Sequence, residues 1–254
     1  MESTYGDRRH PTDDVRPRLA SIIKETVRRG GTVIVPAFAV ERTQKFLFML
    51  KELMEAGQIP RLPVYSDSPM AIKAVEIFLS YANEYDEDTR NLIRQSGSPT
   101  EWSGFTFAST PAESKKINAN YSPSIIISSS GMATGGRILH HLAQRMPDAK
   151  NTILFIGFQA PGTRGHAIKN GARSLKIFGQ PIPVRAAVVA LDEFSDHADP
   201  PEMLAWLRTF KNQPDRTYLV HGEPSASSSL RDMITQELGW NVKVAEWIEK
   251  VELR

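Results

Sequence analysis

Uninterrupted apolar segments alternate with helical patterns along most of this chain. Residues 33–35 are apolar without a break, and apolar residues then recur at the spacing of one helix face. A strand that is apolar on both faces is typical of a parallel sheet covered by helices, because a sheet with one wet face alternates apolar and polar residues. We therefore predict an α/β fold with a mainly parallel sheet. The predicted strands are 32–35, 62–65, 105–108, 124–128, 152–156, 186–191 and 217–220.

Turn-forming residues set the ends of the helices. The helix predicted over 13–29 has Pro17 in its first turn and Gly30 as its stop, and the next helix ends at Gly57. Ser68 and Pro69 begin a third helix. Residues 186–254 are interpreted as a second structural unit that ends in short strands around 242–251. Ligands of such folds bind at the carboxyl ends of the strands, so the loops after the strands are the candidate sites.

Composition restricts the kinds of site that this chain can build. It has no cysteine and six histidines, so a transition metal must be held by His, Asp or Glu. No segment approaches the roughly 20 apolar residues that cross a bilayer, and the first residues are not a secretory signal. We expect a cytoplasmic protein with no membrane partner.

One segment of the chain is basic although the formal net charge is only +2. Between Ala149 and Leu191 there are six Lys or Arg residues and no Asp or Glu. This basic segment, 150–185, is either a surface that faces an anion or a solvated basic face, and charge alone favours the second.

Residues 128–136, which follow a predicted strand, are rich in serine and glycine. Such a loop can hold a phosphate, because glycine lets the backbone approach and the N–H groups point at the anion. Serine-rich turns are also common as structural elements, and the loop by itself favours that interpretation.

Two histidines in loops or turns have polar neighbours that suit chemistry. His197 lies between Asp196 and Asp199, which suits a zinc ligand oriented by a carboxylate, although a lone His is more often only solvated. His166, near Arg164 and Lys169, can donate a proton to a leaving oxygen, or instead contact phosphate or solvent.

His221 and Glu223 flank a glycine directly after a predicted strand. The glycine permits a tight turn that would direct both side chains toward one pocket, and capping of the next helix by Glu223 is equally compatible. His140 and His141 fall on a predicted helix, where packing or exposure is the simpler expectation.

Taken in order, these strings resemble the β-CASP family of the metallo-β-lactamase superfamily, in its RNA-processing branch. They are 2–8, 31–44, 65–71, 129–132, 166, 194–199 and 220–223, so the resemblance extends over nearly the whole chain. It implies a Rossmann-like β-CASP domain at 9–164. It also implies the end of a first metallo-β-lactamase segment at 1–8 and the C-terminal part of a metallo-β-lactamase αββα domain at 165–254. The implied protein is a ribonuclease that uses two zinc ions to hydrolyse RNA phosphodiester bonds.

The resemblance assigns roles to single residues. Glu2 and His166 would be catalytic, with His166 protonating the leaving group, and His197 would bind zinc. A His at position 197 is the pattern of the RNA-processing branch, so RNA is the implied partner. RNA or phosphate contacts would come from Arg42, Ser128, Ser129, Ser130, Gly131, Arg164 and Lys169. Orienting contacts behind the metal ligand would come from Asp196, His221 and Glu223.

The sequence departs from the family pattern at the metal site. The family's His-x-His-x-Asp-His string, a further His and a bridging Asp would all precede residue 1. Catalytic zinc normally needs at least three protein ligands, so we predict that this chain alone is inactive and expect an upstream metallo-β-lactamase half as partner. Endonuclease and 5′-exonuclease activities are both compatible with the resemblance.

Two alternatives remain open. The chain is alternatively a non-catalytic RNA-binding or assembly module that complements a separate metal-binding half, and a homodimer is compatible with either interpretation. An unrelated nucleotide-binding α/β protein is disfavoured, because no Gly-x-Gly-x-x-Gly follows a strand and no Walker-type motif is present.

Overall fold

A six-stranded sheet, parallel throughout, forms the centre of residues 12–195 in the computed structural model, which describes residues 1–98 and 100–252 of the chain. The sheet order is β3-β2-β4-β1-β5-β8, and Val33 pairs with Ile125 on one side and Thr152 on the other. The prediction of a mainly parallel sheet is confirmed. The strands of the chain are β1 (Val33–Pro36), β2 (Val64–Ser66), β3 (Phe105–Phe107), β4 (Ile125–Ser128), β5 (Thr152–Phe155), β6 (Ser174–Ile177), β7 (Gln180–Pro183), β8 (Ala187–Ala190), β9 (Thr217–Leu219) and β10 (Val242–Val244).

Helices follow most of the strands. Among the described residues, no helix combines the length and the apolar composition needed to span a membrane. The helices are α1 (Val15–Arg28), α2 (Arg42–Glu55), α3 (Pro69–Ser80), α4 (Glu87–Ser96), α5 (Pro111–Ala119), α6 (Ile138–Arg145), α7 (Arg164–Lys169), α8 (Pro200–Leu207) and α9 (Pro224–Leu238), with short 3₁₀ turns at Ala82–Glu84 and Asp192–Phe194.

The central strands bury side chains on both faces of the sheet. Val33 and Val35 belong to the core that contains the apolar residues of α1 and α2. Ile34 and Phe155 belong to a separate core that contains those of α6 and α7. Successive residues of a strand point to opposite faces, so covering both faces requires an uninterrupted apolar sequence.

Polar side chains cap the starts of α1 and α3, and the cap at Ser68 is the one that the sequence predicts. Asp14 accepts the N–H of Arg16 at the start of α1, and Ser68 accepts the N–H of Ala71 at the start of α3. Pro69 is the first residue of α3, where its missing N–H costs nothing. Gly30, with a φ of 70°, follows the end of α1.

At two places in the sheet, the connections that follow two neighbouring strands run toward opposite edges of the sheet. The connection from β2 leads outward to β3 while that from β4 leads to β5, and the connections from β1 and β5 also diverge. In open α/β sheets, ligands bind in the crevices at such points, outside the carboxyl ends of the strands. The loops after β2 and β4, and those after β1 and β5, are therefore the candidate sites of this unit.

Two details of the secondary structure differ from the predictions. An antiparallel hairpin, β6 with β7, lies between α7 and β8 and was not predicted. Pro181 and Pro183 in β7 weaken the strand signal, although proline is tolerated on an edge strand. Of the short strands predicted around 242–251, the structure has β10, and no strand follows Val244 within the described residues.

Residues Met1–Pro11 and Asp196–Arg254 form a second compact unit, separate from Thr12–Ser195. In it β9 pairs in parallel with β10. The apolar faces of α8 and α9 share a core with this sheet, formed by Met203, Leu204, Leu207, Leu219, Leu230, Ile234 and Trp240. The predicted family-domain boundaries, after residues 8 and 164, stay predictions.

Candidate metal centre and strand-end loops

The first residues of the chain lie along β9 and bring Glu2 beside a histidine turn. Glu2 forms a parallel bridge with Val220, the Met1 nitrogen donates to the Tyr218 carbonyl at 2.7 Å, and the Val220 N–H donates to the Met1 carbonyl at 3.0 Å. Segment 1–4 thus extends the small sheet on the edge of β9 opposite to β10. His221 follows with a φ of 53°. Its ring contacts segment 1–4.

Glu2, His197 and His221 form a cluster in which one potential ligand atom of each residue lies within 4.8 Å of the others. Glu2 Oε1 is 3.3 Å from His197 Nδ1, and Glu2 Oε2 accepts the N–H of Thr4 at 2.7 Å. The two imidazole centroids are 5.5 Å apart. Glu2 and His197 are partly exposed and His221 is exposed, so an ion can reach all three.

His10 supports the backbone of His197. The ring Nε2 of His10 donates to the His197 carbonyl at 2.6 Å. The backbone N–H of His10 donates to Asp199 Oδ2 at 3.1 Å. Asp199 also caps α8 by accepting the N–H of Glu202. The carboxylate that faces His197 Nδ1 is that of Glu2, which is distant in sequence. The orienting role predicted for Asp196, which is exposed, stays a prediction.

The donor set of this cluster fits zinc. Two imidazoles and one carboxylate are ligands that zinc accepts, and they are the kinds available to a chain without cysteine. Three ligands suffice for one catalytic zinc ion, whereas two ions need more. Sequence reasoning gave His221 an orienting role, and the geometry makes it a candidate ligand as well. Glu223 precedes α9, and its side chain makes no capping hydrogen bond.

The serine loop after β4 uses its hydroxyls to hold its own shape. Ser128 Oγ donates to the Asp67 carbonyl at 2.7 Å, and Ser129 Oγ donates to the Ala37 carbonyl at 3.0 Å. Ser130 Oγ accepts the N–H groups of Thr134 and Gly135. Phosphate binding by these residues and Gly131 stays a prediction, and any such contact would rely on backbone groups or a rearranged hydroxyl.

A buried carboxylate organises the loops after β2 and β4. Asp67 Oδ1 accepts from Arg137 Nη1 at 2.8 Å, and Oδ2 accepts from His141 Nε2 at 2.7 Å and from Ser114 Oγ at 2.5 Å. Arg137 also donates to the carbonyls of Ala108 and Ser109 after β3. Burial opposes ionisation, but the hydrogen bonds from His141, Ser114 and Arg137 hold the pKa of Asp67 below its ordinary value.

Arg42 lies at the second crevice, at the start of α2. It is buried, and its guanidinium carbon is 5.0 Å from the centroid of the Phe38 ring. A Cβ on Gly157, just after β5, would lie 2.8 Å from an Arg42 nitrogen, so the absence of a side chain there makes room for the guanidinium. The predicted phosphate contact of Arg42 stays a prediction.

The residues predicted on the basic segment lie on or near α7. Thr163 caps this helix by accepting the N–H of His166, whose ring is partly exposed and makes no hydrogen bond within the described part of the chain. Arg164 donates to the carbonyls of Lys176 and Thr134, and Lys169 pairs with Asp192 at 2.9 Å. The predicted roles of these three residues stay predictions.

Sequence reasoning missed residues that support the candidate sites. Thr4 contacts both Glu2 and His221, and its sequence context gave it no role beyond membership of segment 2–8. Asp67 likewise had no predicted role of its own within segment 65–71, and packing or exposure was the simpler expectation for His141. The signal was present at Asp67, since a carboxylate directly after a buried strand is costly unless it is paired.

Two family models match the chain. Residues 43–168 match the Beta-Casp domain, and residues 181–245 match the Zn-dependent metallo-hydrolase RNA specificity domain. These segments contain the serine loop, His166, His197 and His221.

Similar proteins come from bacteria and archaea. Ribonuclease TTHA0252 of Thermus thermophilus is 34% identical over 98% of this chain and 57% of its own length. Transcription termination factor FttA of Pyrococcus horikoshii is 33% identical over 100% of this chain and 40% of its own length. An RNase J-like protein of Methanocaldococcus jannaschii is 31% identical over 94% and 55%. The chain thus spans about half the length of these relatives, and it belongs to the β-CASP family of the metallo-β-lactamase superfamily.

Proposed function

We propose that this chain is part of a zinc-dependent ribonuclease, and that it supplies RNA contacts and one side of the catalytic centre. Two relatives carry the names ribonuclease and RNase J-like protein, and one matching family is named as an RNA specificity domain of zinc-dependent hydrolases. The observation that carries the proposal is the cluster of Glu2, His197 and His221. Convergent imidazole and carboxylate groups of this kind are what a hydrolytic zinc centre requires.

The contacts of each cluster residue support a role. Glu2 Oε1 lies 3.3 Å from His197 Nδ1, so the other ring nitrogen of His197, Nε2, is the one that faces away from this carboxylate. His221 offers a second imidazole nitrogen. A bound zinc ion would supply Lewis acidity and activate water for attack on the phosphodiester. His197 Nε2 then either ligates the metal or holds the proton that the leaving oxygen needs, and in the first case His166 is the candidate proton donor.

The chain alone should be inactive. Three ligating groups hold at most one catalytic zinc ion, and the described residues contain no other group of three or more potential ligands. A further metallo-β-lactamase segment would complete the centre. The alternative, a non-catalytic RNA-binding or assembly module, predicts that adding this segment leaves RNA uncut.

Zinc content and cleavage of a single-stranded RNA test this proposal in two proteins, this chain and a form extended upstream by a complete metallo-β-lactamase half. The extended form should hold about two zinc ions and cut RNA, because its ligand set is complete. This chain should hold at most one ion and leave RNA intact. Cleavage by the short chain, or an extended form without zinc, would contradict the proposal.

Histidine variants of the extended form separate the roles. His221→Ala should lower the zinc content. His197→Ala should do the same if His197 is a ligand, but should abolish cleavage with zinc retained if it is the proton donor. His140→Ala is a matched control, because His140 is an exposed histidine on α6 that packs against Phe178 and does not belong to the cluster.

RNA binding should depend strongly on salt, because Arg173, Lys176 and Arg185 are exposed and have no carboxylate partner within 4 Å among the described residues. Phosphate contacts release bound counterions, and each contact to a single strand contributes about 0.7 to the slope of log affinity against log salt.

Replacing Arg173 and Lys176 by alanine should weaken RNA binding and flatten this slope by about 1.4. Fluorescence anisotropy with a labelled RNA at several salt concentrations measures the affinity and the slope. Lys24→Ala, at an exposed lysine of α1, is the control, and an unchanged slope in the double variant would contradict the prediction.

A further inference from the structure

Thr4 contacts two of the three cluster residues at once. Its backbone N–H donates to Glu2 Oε2 at 2.7 Å. Its hydroxyl oxygen lies 3.0 Å from His221 Nδ1 and 2.9 Å from the His221 carbonyl oxygen. Thr4 is only 4% exposed, so water competes little for this hydroxyl. A single side chain therefore meets both the ring and the backbone of His221.

The two contacts of the Thr4 hydroxyl decide where the ring proton of His221 lies. A hydroxyl has one hydrogen to donate and lone pairs that accept. The His221 carbonyl can only accept, so the 2.9 Å contact uses the hydroxyl hydrogen. The 3.0 Å contact is then a hydrogen bond only if His221 Nδ1 carries a hydrogen and donates it to Thr4 Oγ1. In a neutral ring, Nε2 is consequently the nitrogen with the free lone pair.

We infer that Thr4 is a positioning residue, which fixes His221 as the Nδ1–H tautomer and so presents Nε2 to a divalent cation such as zinc. A metal-bound imidazole needs a partner for its other nitrogen, because that hydrogen bond sets both the tautomer and the orientation of the ring. Glu2 Oε1 lies 3.3 Å from Nδ1 of His197, so a polar oxygen faces the same ring atom in both histidines. The backbone of Thr4 holds Glu2, and its side chain holds His221.

The surroundings keep this contact in place. Ser3 Oγ donates to the Val220 carbonyl at 2.9 Å and lies 2.8 Å from Ser227 Oγ on α9. The Ser3 N–H is directed at the His221 carbonyl, 3.4 Å away. The residues on either side of Glu2 and His221 are therefore tied together, and a change at the Thr4 hydroxyl need not separate the two segments.

Thr4→Val tests the inference, because it removes the hydroxyl and keeps the shape and the backbone N–H. Histidine ¹⁵N NMR of the metal-free chain reports the tautomer of each ring. His221 should be the Nδ1–H tautomer in the wild type and should shift toward the Nε2–H tautomer in Thr4→Val. Thr4→Ser, which keeps the hydroxyl, should behave like the wild type. A wild-type His221 with its proton on Nε2, or a Thr4→Val spectrum identical to that of the wild type, would overturn the inference.

Zinc titration of the form extended upstream, with a fluorescent competitor, gives the second readout. Loss of an orienting partner behind a metal ligand typically weakens metal affinity about 10–100-fold, which is the change expected for Thr4→Val. Thr4→Ser should restore the affinity, and an urea unfolding curve for each variant separates this effect from a loss of folding. The part of the inference that has His221 Nε2 bind a cation rests on the proposed function. If the tautomer responds to Thr4→Val but even the wild type binds no zinc, the proposed metal centre is wrong and the positioning of His221 by Thr4 stands.

Discussion

Replacing Asp67 by alanine should lower the free energy of unfolding of the larger unit by about 3–5 kcal/mol. Asp67 is fully buried and accepts hydrogen bonds from Arg137, His141 and Ser114. Without the carboxylate, Arg137 loses its ion-pair partner and the buried His141 ring loses its hydrogen-bond acceptor. Each of these two unsatisfied groups lowers the stability of the folded state. Urea unfolding at pH 7, followed by circular dichroism, measures the difference.

A matched control and the pH dependence sharpen this test. Glu76 is an exposed acid on α3, and Glu76→Ala should change stability by no more than about 0.5 kcal/mol. The folded pKa of Asp67 lies below its ordinary 3.8, so its contribution is present above that pH and is lost as the pH falls through the folded pKa. The difference between wild type and Asp67→Ala should therefore narrow below pH 3.8. A loss below 1 kcal/mol at pH 7 would mean that the network does not hold the loops.

Replacing Gly222 by alanine should disrupt the cluster of Glu2, His197 and His221, although the substitution adds only one methyl group. A Cβ there would lie 2.4 Å from Ser3 Oγ and 2.6 Å from the Ser3 carbonyl oxygen, and the backbone atom cannot turn away. The segment that carries Glu2 and Thr4 would be pushed off the histidine turn. We expect zinc affinity of the upstream-extended form to fall at least about 10-fold, and stability to fall by about 1–3 kcal/mol.

Competitive zinc titration and urea unfolding measure these two effects. Gly135→Ala is the control for both, because a Cβ at that position meets nothing within 4 Å. It should leave zinc affinity unchanged and stability within about 1 kcal/mol. Wild-type zinc affinity in Gly222→Ala would show that segment 1–4 does not need its close approach to the turn.

The parallel sheet was predictable because its cause is local. A strand such as β1 must be apolar at every position when helices cover both faces, and that pattern is visible in a few residues. The β6–β7 hairpin was not predictable in this way, since Pro181 and Pro183 remove the strand signal while the edge position tolerates them.

The candidate sites were predictable in their residue types but not in their contacts. The sequence singled out Glu2, His197 and His221, yet the bond between Thr4 and His221 joins residues 217 positions apart. Gly222 was expected to supply backbone freedom, but His221 adopts the positive φ and Gly222 instead supplies space beside Ser3. Such contacts depend on tertiary packing, which periodicity and composition do not encode.

The placement of segment 1–4 along β9 has a consequence for synthesis on the ribosome. Residues 12–195 are continuous, so this unit has its whole sequence available before the chain is finished, and domains generally fold as units while translation proceeds at about 5–20 residues per second. The smaller unit is discontinuous, and Glu2 must wait until residues beyond 221 have emerged. The cluster of Glu2, His197 and His221 therefore assembles only after the larger unit has emerged in full, so residues 12–195 can fold before these three side chains come together.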